Sequence, residues 1–205
     1  SSYFGESGDE TGNSIQIAPN GNVYMAGGST SSTLNFPAGV SLSNNGGIAD
    51  GYVVRISGAT PAILSGTFIG TAEYDQAYFV QLDLDNKVYV YGQTEGLMPI
   101  TPGLYGTPNS GQFIRKFNTN LTSIEWTTTI GAGTGHVEIS PTAFLVSDCY
   151  DIYISGWGGS VNNTNSSAVN STSAGFTTTP DAFQLTSNGN NFYIAVLKPN
   201  AAALK

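Results

Sequence analysis

The sequence is poor in the side chains that do metal and nucleophile chemistry. It holds one cysteine, Cys149, and one histidine, His136. A transition-metal site draws on several such ligands, and no second histidine or cysteine pair completes one. No nucleophile elbow accompanies His136, so a catalytic triad does not assemble either. Basic residues are scarce: six Lys and Arg stand against fourteen Asp and Glu, a formal net charge of −8. Binding to a nucleic-acid backbone runs on Lys and Arg displacing counterions, so that class is excluded. Long apolar runs are missing, and nothing approaches the roughly 20 residues of a membrane span. No signal-peptide pattern stands at Ser1, so any export signal is expected to be removed or to lie outside this chain. The near absence of cysteine favours an exported chain without a disulfide framework.

Only 10% of residues are charged, while 40% are hydrophobic, enough for a packed interior. The rest is dominated by Gly, Ser, Thr and Asn, which suits short strands and turns. One pattern occurs three times. Asn22-Val23-Tyr24-Met25-Ala26-Gly27 returns as Lys87-Val88-Tyr89-Val90-Tyr91-Gly92 and as Asp151-Ile152-Tyr153-Ile154-Ser155-Gly156. A near-constant spacing of about 65 residues marks a repeat architecture, whose units bury their apolar faces by stacking.

Each unit reads as four strands. The first is Ser2–Gly5, recurring as Thr67–Gly70 and Thr128–Gly131. The second is Ser14–Ala18, then Phe79–Asp83 and Ala143–Ser147. The Val-Tyr segment is the third, alternating and β-branched as a half-buried strand should be. The fourth is Tyr52–Ile56, then Phe113–Phe117 and Phe192–Leu197. Pro19-Asn20-Gly21 and Leu84-Asp85-Asn86 are tight-turn sequences, which favour hairpins over the strand-to-coil pairing of a β-solenoid. The expected fold is all-β: an arc of three four-stranded antiparallel blades, a partial β-propeller. Residues 1–205 form one segment, with blades at 1–65, 66–125 and 126–205 and divisions near Gly66 and Trp126. Propellers close with about four to eight blades, so the chain reads as a piece of a longer protein, with association of copies as the other way to finish a ring.

Tyr3-Phe4-Gly5, Gly8-Asp9-Glu10, Asn13-Ser14-Ile15, Gly21-Asn22-Val23-Tyr24, Phe36-Pro37 and Asp50-Gly51-Tyr52-Val53-Val54 together resemble the beta-propeller repeat known as SBBP. Thr101-Pro102-Gly103-Leu104-Tyr105 and Thr179-Pro180-Asp181-Ala182-Phe183-Gln184 resemble its threonine-proline and aromatic segment. The third copy, Asp148 to Gly159, is similar to a variant in large surface proteins of gliding bacteria. Val80-Gln81-Leu82 and His136-Val137-Glu138 depart from the pattern. The resemblance implies an extracellular or cell-surface place, type IX secretion and a part in adhesion or gliding motility.

The long connections all emerge on one face, and loops on a rigid scaffold are where binding usually resides. Asp9, Glu10, Glu73, Asp75 and Glu138 share that face with His136, and grouped carboxylates could hold Ca²⁺. Their spacing matches no EF-hand, so no metal residues are assigned, and His136 reads as a hydrogen-bonded structural residue. Tyr24, Tyr89 and Tyr153 recur in register and read as packing between blades. Trp157 replaces Gly28 and Gln93 at the mouth of the longest loop and is the strongest candidate contact. Candidate ligand contacts are therefore Trp157, Gln93, His136, Glu138, Asp9 and Asp75, with no catalytic residue. The sequence points to a non-catalytic adhesion or protein-interaction scaffold; the alternative is a glycan-binding module or part of a propeller glycosidase or lyase. Expected partners are missing blades or other subunits, and a surface glycan or protein. Sequons at Asn120, Asn162, Asn165 and Asn170 are of the number chance provides. Cys149 aligns with turn residues and is expected to be unpaired and partly exposed. Val161–Ser173, rich in Asn, Ser and Thr, is expected to be a mobile surface loop.

Overall fold

The computed structural model describes residues 1–37, 46–159 and 171–205. It is all-β. The strands are β1 (Glu10–Ile17), β2 (Val23–Ser29), β3 (Asp50–Ile56), β4 (Ile63–Ile69), β5 (Asp75–Leu82), β6 (Val88–Thr94), β7 (Gln112–Phe117), β8 (Ile124–Ile130), β9 (Ser140–Val146), β10 (Ile152–Trp157) and β11 (Phe192–Leu197), followed by a short 3₁₀ turn at Pro199–Ala201. They form three antiparallel sheets in chain order: β1–β4, β5–β8 and β9–β11. The sheets stack as successive blades of a partial propeller that is not closed. Among the described residues no helix is long and apolar enough to cross a membrane.

The phase of the repeat differs from the expected one. Val54 pairs with Gly66 and Lys116 with Trp126, so the expected divisions fall inside β4 and β8. Thr67–Gly70 and Thr128–Gly131 close the sheet before them instead of opening the next. Ser2–Gly5 is not a strand, and the sheets divide at 70–74 and 131–139. A fixed spacing gives the period of a repeat and leaves its starting point free; the hydrogen-bond ladder sets that. The third sheet has three strands, with Leu204 bridged to Leu197 and Lys205 N donating to Val196 O at 2.8 Å along the edge of β11.

The repeated glycine has a steric cause. Each inner strand bulges, between Gly12 and Ser14 and between Ala77 and Phe79, with a matching register shift opposite Gly156. The bulge swings a backbone carbonyl against the second strand. A Cβ at Gly27 would collide with Thr11 O, one at Gly92 with Gln76 O, and one at Gly156 would crowd Ser140 O and Ile139. The hairpin turns also repeat. Gly21, Asn86 and Tyr150 all adopt positive φ, at 82°, 57° and 63°. Gly21 N, Asn86 N and Tyr150 N each donate to the carbonyl three residues back.

Stacking follows the two-residue alternation of a strand. Tyr24, Ala26 and Val53 of the first sheet meet Val80, Val90, Phe113 and Phe117 of the second. On the second sheet's other face, Tyr89, Tyr91, Ile114 and Trp126 meet Phe144, Ile154, Ala195 and Leu197 of the third. Tyr24 and Tyr89 are thus buried between blades, whereas Tyr153 is half-buried on the third sheet's outward face. Polar bonds cross the same seams: Tyr24 OH donates to Thr119 O at 2.9 Å, and Asn13 Nδ2 to Ala77 O at 2.9 Å.

The expected mobile loop at Val161–Ser173 lies outside the described residues up to 170, as do Asn162, Asn165 and Asn170. Its last residues are fixed: Ser171 and Ser173 are buried, and Ser171 Oγ donates to Glu138 O at 2.9 Å. Asn120 sits on a turn, its Oδ1 accepting from Arg55 Nη1 at 2.6 Å.

Candidate functional site

The connections after β2, β4, β6, β8 and β10 all emerge at the same end of the sheets, as the antiparallel order dictates. Most acids gathered there are occupied in holding backbone. Asp75 Oδ2 accepts from Thr71 N at 2.6 Å and Thr71 Oγ1 at 2.8 Å. Glu138 Oε1 accepts from Ala132 N, Thr134 N and Thr134 Oγ1 at 2.8, 3.2 and 3.0 Å, and its Oε2 from Gly111 N at 3.1 Å. Glu10 Oε2 accepts from Glu6 N at 3.1 Å, with Ser29 Oγ on its other oxygen at 2.8 Å. In each case a carboxylate at the inner strand takes the N–H of the residue after a glycine: Gly5, Gly70 or Gly131. Asp75 and Glu138 thus latch the crossings between sheets, and Glu10 holds the segment leading into β1.

Their titration follows from these contacts. Burial raises the Asp75 pKa, and hydrogen bonds from Thr94 and Thr71 only partly offset it. Burial acts the same way on Glu10, but bonds from Ser31, Ser29 and Glu6 N prevail and hold it below the usual carboxylate value. Arg115 is buried and pulled down to about 10 against the attraction of Asp75; its Nε donates to Thr127 Oγ1 at 2.9 Å.

The six expected contact residues therefore separate. Asp75, Glu138 and Gln93 are buried. Gln93 Nε2 donates to Ile139 O at 2.8 Å, joined there by Gln112 Nε2 at 3.3 Å, so this side chain ties the second sheet to the third. His136 is exposed, with its Nδ1 3.1 Å from Glu95 Oε2. Asp9 is exposed at the first sheet, bound through its backbone to Thr30. Trp157 is half-buried on the third sheet's outward face, opposite Ser140 and Phe192. Gln93, His136 and Glu138 come together at the junction of the second and third sheets, with Gln93 and Glu138 interior, whereas Asp75 sits at the junction of the first and second. Among the described residues no three of His, Cys, Asp and Glu converge on a point that could hold a metal ion.

A groove that the sequence reading did not anticipate runs along the outer edge of β11. It has a cavity of about 540 Å³, lined by Phe176, Phe183, Leu185, Phe192, Ile194 and Leu204 among others. Phe176 and Tyr193 form its floor, their rings 4.6 Å apart. Phe183 is 93% exposed and Phe192 60%, which leaves apolar surface open to water. Its place is informative: β4 and β8 occupy this position in the other two sheets. The available signal was the apolar Phe183 and Leu185, two residues apart in an otherwise polar loop.

No protein-family model matches the chain, and no curated protein matches it.

Proposed function

We propose that the chain is a non-catalytic β-propeller segment of an exported or cell-surface bacterial protein, acting as an adhesion or protein-interaction scaffold. The observation that carries this reading is the open groove beside β11. Its apolar rings, and a strand edge that among the described residues only Leu204 and Lys205 cover, suit a polypeptide partner, which supplies backbone hydrogen bonds and side chains to a sheet edge. The acids on the loop face support the same reading, because Glu10, Asp75 and Glu138 are engaged by backbone N–H groups. Further blades or other subunits are the partners proposed for the open sheet faces, and the SBBP resemblance supports export, type IX secretion included. Antibody against the chain should label intact producing cells, and beads coated with the chain should adhere to cell surfaces. Labelling only after permeabilisation would overturn the surface placement. Turnover of a polysaccharide by the purified chain would overturn the non-catalytic reading.

A second reading, glycan binding, is favoured by the adjacency of Trp157 and Phe192, whose flat rings on an outward face suit sugar surfaces. A glycan array in which binding disappears with Trp157→Ala would favour it over the scaffold.

A further inference from the structure

The hairpin end of the seam between the second and third sheets holds a charged cluster that belongs to neither the groove nor the latches. Lys116 on β7 is buried, with 9% of its side chain exposed. Its Nζ lies 3.5 Å from Asp83 Oδ2, 3.4 Å from Glu125 Oε2 and 4.9 Å from the centre of the Tyr89 ring. Across the seam it donates to Asn200 Oδ1 at 3.3 Å. Asp83 is fixed by its own turn: Oδ1 accepts from Asp85 N and Lys87 N at 3.0 and 2.8 Å, and Oδ2 from Tyr89 OH at 3.1 Å. Glu125 Oε1 takes Lys87 Nζ at 2.5 Å, which leaves Oε2 to face Lys116. Asn200 is held too. Its φ is 55°, and the neighbouring Ala201 is fully buried, with its carbonyl accepting from Tyr105 N at 2.8 Å.

The other seam carries the same contact with different chemistry. Arg55, at the repeat position of Lys116, donates through Nη1 to Asn120 Oδ1 at 2.6 Å. Asn120 stands where Asn200 does, three residues past the strand and before a buried residue of positive φ: Leu121 at 58° in one turn, Ala201 at 51° in the other. The positions of Asp83 and Glu125 are held there by Ala18 and Leu64. A guanidinium stays protonated and does not attack an amide, whereas a lysine amine that gives up protons is a nucleophile. The second seam replaces Arg, Ala and Leu with Lys, Asp and Glu together.

We propose that Lys116 and Asn200 become joined by an amide bond, a covalent clasp between the second and third sheets. Lys116 Nζ attacks Asn200 Cγ, and the Cγ–Nδ2 bond breaks. The Lys116 ammonium brings three protons: one stays on the new amide nitrogen, and two pass through the Glu125 carboxylate to Nδ2, which departs as ammonium. One amide replaces another and charge is conserved, so no oxidant or activated co-reactant enters, and dilution of the released ammonium drives the exchange. Glu125 carries the protons because its Oε2 faces Lys116, while Asp83 Oδ2 is already taken by the Tyr89 hydroxyl and holds the amine in place. Intramolecular attack gains most between groups fixed about 3–3.5 Å apart. Asn200 is exposed, so the leaving group escapes to water while the amine stays sheltered. The bond forms once per chain and turns over no substrate, so it stands independently of the scaffold reading.

Intact mass spectrometry of the folded chain tests this. The chain should be lighter than its sequence by one ammonia, and chymotryptic digestion should yield a branched peptide joining Lys116 to Asn200. Lys116→Arg and Asn200→Gly should each restore the full mass. The first copies the Arg55 contact and the second keeps the left-handed turn, so both fold, which circular dichroism checks. Glu125→Gln should slow closure by about a hundredfold, the scale of a general acid–base group, and leave freshly made chain at full mass. Full sequence mass in the unsubstituted folded chain overturns the proposal and leaves Lys116 an ion-pairing residue. So does an ammonia loss that persists in Lys116→Arg, because it then comes from another amide, such as Asn20 before Gly21.

Discussion

The Tyr150 hydroxyl donates to Asp85 Oδ2 at 3.0 Å, so equivalent hairpin turns of neighbouring sheets are bonded to one another. Tyr150 also occupies the left-handed region at φ 63°, where its repeat counterparts are Gly21 and Asn86. A bulky residue there costs about 1–2 kcal/mol, and the bond to Asp85 offsets part of it. Tyr150→Phe keeps the strain and loses the bond, and should lower the urea midpoint. Tyr150→Gly loses both and should fall closer to the unmodified protein. The reverse order would mean the turn is not strained.

Glu138 should be among the costliest single positions. It is fully buried and receives three backbone N–H groups and one hydroxyl. Glu138→Ala strands those donors and should lower stability by about 3 kcal/mol, since each orphaned buried group costs about 1–3 kcal/mol. Glu138→Gln keeps one acceptor oxygen and should lose about half as much. Denaturant midpoints measure both.

Gly92→Ala should destabilise despite adding a single methyl group. Its Cβ would meet Gln76 O and the Phe113 ring, and a carbonyl held by the bulge cannot turn aside. Overpacking of this kind costs about 1–3 kcal/mol. Gly103→Ala is the contrasting control: nothing lies near its Cβ, and only its φ of 85° opposes the change.

Alkaline titration should be delayed and then abrupt. Burial raises the pKa of Tyr24, Tyr78, Tyr89, Tyr91 and Tyr193, and with the Glu10 charge it pushes Tyr52 up to about 12. The bond to Asp85 raises Tyr150. Folded values above the unfolded value of about 10 mean that this stability is complete below pH 10 and lost as pH rises through the folded values. Tyrosinate absorbance should therefore show these seven tyrosines ionising only above pH 10 and appearing together on unfolding. A single smooth titration centred near pH 10 would contradict the burial of these rings.

Cys149 is free and exposed on the β9–β10 turn. Ellman's reagent should find one fast thiol per native chain. Slow modification requiring denaturant would place the turn inside an interface.

Much of the fold was legible because the repeat writes it three times. The Val-Tyr segment became β2, β6 and β10, and the recurring glycine marks the bulge opposite. The phase was not legible, since Gly66 and Trp126 look alike as strand openings or strand closings until their partners are known. The site was harder. Asp75 and Glu138 read as loop acids on an open face, and nothing local to them shows that the backbone N–H of Thr71, or of Ala132 and Thr134, turns back onto their oxygens. Gln93 shares a repeat position with Trp157, yet a neighbouring sheet buries the first and leaves the second half open. The β11 groove depends on what stands beside a strand, which no pattern within that strand records.

The order of strands has a mechanical consequence. Each four-stranded sheet is entered at the start of its inner strand and left at the end of its outer strand; both points lie at the same end of the sheet and on opposite edges. Tension along the chain would pull those edges apart sideways, so hydrogen bonds would yield in succession and not be loaded in parallel. The latch carboxylates at Glu10, Asp75 and Glu138 sit where that peeling would start. A stretched chain would release its sheets one at a time and at low force, lengthening without losing the whole arc at once.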